Sequence, residues 1–119
     1  VPSTTTEDWY ELFKADDTKT ATIRVADRTV NGSAVCPDIQ ASLDNSEGST
    51  VGSVADLGDN TATTFLVPNT GRYFLEVTSY NPGNSSCGSS SSAGAAYTVE
   101  PEPSAEWTAA PAATGSVTP

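Results

Sequence analysis

Between clusters of Gly, Asn, Asp and Ser, the apolar residues of this chain return at every second position, a period that selects strands over helices. In "TATIRVA", Ala21, Ile23 and Val25 share one face and Thr22 and Arg24 the other. The pattern repeats with Ile39, Ala41 and Leu43 in "DIQASLDN", with Thr63, Phe65 and Val67 in "TTFLVP", and with Tyr97 and Val99 in "AAYTVE". In the opening "EDWYELFK", Trp9 and Tyr10 compete for the inside, and Tyr10 and Leu12 are assigned inward. The separators "ADDTK", "VNGS", "DNSEGS", "LGDN", "PNTG" and "NPGNSSCGSSSSAG" all have the chemistry of turns or loops. No segment is long and periodic enough for a helix. Short strands at regular spacing predict an all-β sandwich or barrel.

The stretch "VPNTGRYFLEV", residues 67–77, is the most explicit of these signals. Pro68 cannot donate a ladder hydrogen bond and stops the strand ending at Val67. Asn69 and Gly71 tolerate the positive φ of a tight turn, and Tyr73, Leu75 and Val77 re-enter the core. The expectation is a β-hairpin near the centre of the fold, with Phe74 pointing outward beside Arg72 and Glu76.

A chain of 119 residues with no second hydrophobic block supports one small domain. The compositions of residues 1–6 and 101–119 are those of a linker and a Pro/Ala/Thr-rich tail, which leaves the domain at 7–100. Such ends, and Val1 in place of Met, are what a piece of a longer or processed chain would show. An indole is rarely spent on a pure linker, so Trp107 is the tail's candidate to dock back on the domain. Fifteen acidic residues against five basic ones give a charge of −10, a surface that repels nucleic acid and anionic membranes. No stretch has the apolar length to insert in a membrane. Cys36 and Cys87 lack CxxC spacing, and the chain has no His to complete a zinc site or activate a thiol. A single structural disulfide joining them is the favoured reading in an extracellular setting.

Taken in order, "DWYELF", "ATIRV", "PDIQASLDNSEGSTV", "TTFLVPNTGRYFLEVTSYN" and "AAYTVE" resemble the bacterial pre-peptidase C-terminal domain and its relatives across residues 7–100. The segment around Pro68 and Gly71 is the most specific part. Ile39 and Gln40 stand where that family often has a Leu-Asp pair, and the two cysteines are not part of its general motif. The resemblance implies a jelly-roll-like antiparallel β-sandwich of about seven to eight strands, found beside catalytic or adhesive domains of secreted bacterial proteins. It also implies a secreted or cell-surface location, which suits the disulfide.

Without His there is no Ser-His-Asp or Cys-His arrangement, and no phosphate-binding glycine loop is present, so the chain is read as non-catalytic. Calcium is the candidate ion because hard oxygen ligands are plentiful. By resemblance, Glu7 and Asp8 lie where calcium-binding relatives place acidic ligands, and Asp38 is a further candidate; the competing reading is solvated turn and cap residues. Trp9, Phe74 and Tyr80 are predicted off the core face, where flat rings stack on sugars or grip a fibrous protein. The competing reading packs them under a loop, the tail or a neighbouring domain. The expected function is that of an accessory module, a spacer or attachment domain that takes polysaccharide, cell wall or extracellular protein as partner beside a neighbouring domain of the same polypeptide. The alternative is a calcium-stabilised structural module of a secreted hydrolase.

Overall fold

A computed structural model describes residues 7–15, 20–28, 38–58, 60–80, 95–103, 106–108 and 113–117. Cys36 and Cys87 lie outside them. The described strands are β1 (Glu7–Lys14), β2 (Ala21–Asp27), β3 (Asp38–Asn45), β4 (Thr50–Leu57), β5 (Ala62–Val67), β6 (Gly71–Tyr80), β7 (Ala95–Glu102), β8 (Trp107–Thr108) and β9 (Ala113–Val117). They form two antiparallel sheets, β4-β3-β6-β1-β8 and β5-β2-β7-β9, packed as a sandwich.

The alternation read from sequence determines the core. Ala21, Ile23, Val25, Ile39, Ala41, Leu43, Leu75 and Val77 have no exposed surface, and Tyr97 and Val99 are nearly as deep. Each fully buried Val, Leu or Ile side chain among them contributes about 1.5–3 kcal/mol through burial. On β1, Leu12 is buried and Tyr10 packs against the core, whereas Trp9 is 45 % exposed, which settles their competition for the inside.

The Val67–Val77 stretch is not a hairpin. β5 pairs with β2 in one sheet, and β6 pairs with β1 and β3 in the other, so residues 68–70 arch across the sandwich. The local chemistry is the same in a hairpin and an arch: a Pro that ends one strand and a Gly that takes a φ of +149° at Gly71. What differs is the anchor. Asn69 does not take the positive φ expected of it; its carbonyl instead accepts a 2.9 Å hydrogen bond from the buried Tyr73 hydroxyl. A tyrosine reaching four residues back to the backbone is the corner that sandwiches use where the chain changes sheets. β3–β4 is the hairpin within one sheet, closed by Asn45, whose Oδ1 accepts from the amides of Glu47 and Ser49 at 2.9 and 3.0 Å.

β4 is an edge strand whose residues are mostly exposed. The absence of a Cβ at Gly52 admits the Phe65 ring: a methyl there would meet Cδ1 at 2.6 Å. The chain beyond residue 100 also departs from expectation. Rather than a linker, it supplies the end of β7 together with β8, which pairs with β1, and β9, which pairs with β7. Trp107 docks as its indole chemistry suggested. It is buried, edge-on to Tyr73 with ring centroids 6.3 Å apart.

Candidate attachment face

β1 sorts its residues onto two faces. Inward lie Asp8, Tyr10, Leu12 and Lys14; outward lie Glu7, Trp9, Glu11 and Phe13. Neighbouring strand residues point to opposite sides of a sheet, so Glu7 and Asp8 cannot close on one ion. Asp38 is placed by register opposite Tyr80, at the β3–β6 end of the sheet. Among the described residues no three His, Cys, Asp or Glu side chains converge as a metal site.

Asp8 is instead a core carboxylate, 1 % exposed. The Tyr97 hydroxyl donates to its Oδ2 at 2.5 Å, the length of a charge-assisted bond. Because that hydroxyl has one proton, Tyr10 is the donor in the 2.7 Å contact between the two tyrosines, and the chain runs Tyr10 to Tyr97 to Asp8. Burial first, then the bond it donates to Asp8, push the Tyr97 hydroxyl far above the usual tyrosine range. Burial also raises Tyr10. Gly115 of β9 covers the pair, and a Cβ there would sit 2.5 Å from the Tyr97 oxygen and 2.9 Å from that of Tyr10. At the other end of β1, the buried Lys14 Nζ lies 3.7 Å from Glu106 Oε1. Both interior sites therefore tie the strand to chain segments that follow β6.

The outer face of the five-stranded sheet carries the exposed chemistry. Register sets Ser42, Glu76 and Trp9 in one row across β3, β6 and β1, and Asp44, Phe74 and Glu11 in the next. Arg72 stands opposite Phe13, and its guanidinium reaches Glu11 at 3.2 Å. Phe74 thus lies diagonal to both Trp9 and Phe13, rings that are 45 % and 40 % exposed, while Phe74 itself is half-buried. Trp9 and Phe74, singled out from sequence, share this face, and Tyr80 belongs to the same strand, beyond Thr78. The carboxylates Glu7, Glu11, Asp44 and Glu76 surround the rings. Burial first, then the hydrogen bond and charge of Glu7 and the charge of Asp44, push the Glu76 carboxyl above its ordinary range.

Sequence reasoning placed Glu76 outward beside Phe74 but missed Phe13 and Asp44 as members of this face, and Lys14 and Asp8 as interior residues. The signal for Lys14 and Asp8 was the period itself, since positions 8 and 14 extend the inward series through Leu12. No protein-family model, curated protein or solved structure matches the chain.

Proposed function

We propose that the chain is a non-catalytic accessory module of a secreted or surface-anchored bacterial protein, related to the pre-peptidase C-terminal domains, and that it attaches its neighbouring domain to an extracellular polymer or protein. The observation that carries this reading is the outer face of the five-stranded sheet, where β1 holds Trp9 and Phe13 exposed, each diagonal to Phe74 on the paired strand β6. Rings this exposed are a binding resource, and a sheet face presents them to an extended partner. The interior supports the same division of labour, because Asp8, Tyr97, Lys14 and Glu106 are engaged in contacts that join strands. A Cys36–Cys87 disulfide belongs to the proposal as its extracellular signature.

Co-sedimentation of the 119-residue chain with collagen fibrils, peptidoglycan and cellulose tests it. The expected result is retention on at least one of them, lost in the Trp9→Thr/Phe74→Thr variant while its thermal transition persists. Retention on none, or equal retention of the variant, contradicts the reading.

A further inference from the structure

The attachment face is aromatic and acidic together, which narrows its partner. Rings alone suit a neutral glycan; here four carboxylates, Glu7, Glu11, Asp44 and Glu76, are interleaved with them on three adjacent strands. Arg72 is the basic residue among them, and it is engaged by Glu11. Glu76 is half-buried and flanked by Glu7 and Asp44, so the face gathers negative charge around its middle strand. Cations over the face of an indole or phenyl ring are attracted by the ring quadrupole, and carboxylates beside the ring strengthen that preference. The charge of the whole chain, −10, steers the same class of partner.

We infer that the partner held by this face is a lysine- or arginine-rich polypeptide segment, its cationic side chains lying over the Trp9 and Phe74 rings and among the Glu7, Glu76 and Asp44 carboxylates. The inference rests on the reading of this face as the attachment surface. An extended segment on a sheet presents alternate side chains at about 6.6 Å intervals, within reach of successive rows of the face. A neutral glycan would leave the half-buried carboxylates without a counter-charge.

Titration calorimetry of the intact chain with a decalysine peptide, at low and at physiological salt, tests the inference. Saturable binding is expected, weakened by salt, and weakened about three- to fivefold by Trp9→Thr and by Glu76→Gln. Glu102→Gln, an exposed acid on the other sheet, is expected to leave it unchanged. If Glu102→Gln weakens binding as much as Glu76→Gln, the interaction reads net charge alone and the inference falls. Tighter binding of a glucosamine oligomer than of decalysine moves the partner to a cationic glycan and overturns the polypeptide assignment. Binding of a neutral N-acetylglucosamine oligomer with none of decalysine overturns the inference and leaves the attachment reading standing. No binding of any probe, together with no retention on insoluble polymers, removes both.

Discussion

The two faces of β1 invert the usual rule of apolar inside and polar outside at half of their positions. Inward, the strand carries a charge at each end, Asp8 and Lys14, both buried; outward, it carries Trp9 and Phe13, both substantially exposed. A face is decided by what waits on the other side of it as much as by hydrophobicity. Asp8 can be buried because Tyr97 and Tyr10 supply a directed chain of hydroxyls, and Lys14 because Glu106 lies at 3.7 Å. The rings face outward in a mostly acidic setting. The inner residues join strands, and the outer ones form the proposed attachment face.

The inner site should break most visibly. Asp8→Ala leaves the buried Tyr97 hydroxyl without its acceptor and should lower stability by about 2–3 kcal/mol, read from denaturant midpoints. Asp8→Asn, which keeps an acceptor, should recover part of that loss. Next in size is Gly115→Ala, which drives a methyl against the Tyr97 oxygen and should cost about 1–3 kcal/mol by the same measurement. A neutral result would mean that β9 is not held against the tyrosine pair.

The smallest expected effect is on the outer face and has the opposite sign. The raised Glu76 carboxyl holds its proton more firmly in the folded chain than in the unfolded one. Its stabilising contribution is complete below the ordinary glutamate range and is lost as pH rises through the raised value. Glu76→Gln removes that liability, so at neutral pH the variant should be the more stable by up to about 1 kcal/mol. The advantage should disappear as the pH falls below the ordinary glutamate range. Melting curves across that interval check the sign, and an advantage that persists unchanged into acid would contradict it.

Much of the fold was legible because each core strand advertises itself by alternation: Ile23, Leu43, Phe65, Leu75 and Val99 lie where the period puts them. β4 was not legible, since an edge strand with mostly exposed residues need not alternate. Neither were β8 and β9, whose two and five residues lie within a Pro-, Ala- and Thr-rich stretch that reads as a linker and pair with β1 and β7. The arch at Pro68–Thr70 was misread because turn residues report a reversal of direction without reporting which sheet receives the next strand. For the face, single positions were readable and their grouping was not. Trp9 and Phe74 fall outward by period, but the rows that place Glu76 beside Trp9 and Asp44 beside Phe74 depend on register between strands distant in sequence.

The central claim is that alternate residues of one strand divide folding from attachment, and Trp9→Thr/Phe13→Thr tests it most directly, with thermal unfolding and decalysine binding measured on the same preparation. Threonine keeps the strand propensity, so the fold should lose no more than about 2 kcal/mol while binding falls about tenfold or more. A variant that melts far below the parent would show that the outer rings hold the sandwich together. A variant that binds as the parent does would show that this face is not where a partner sits.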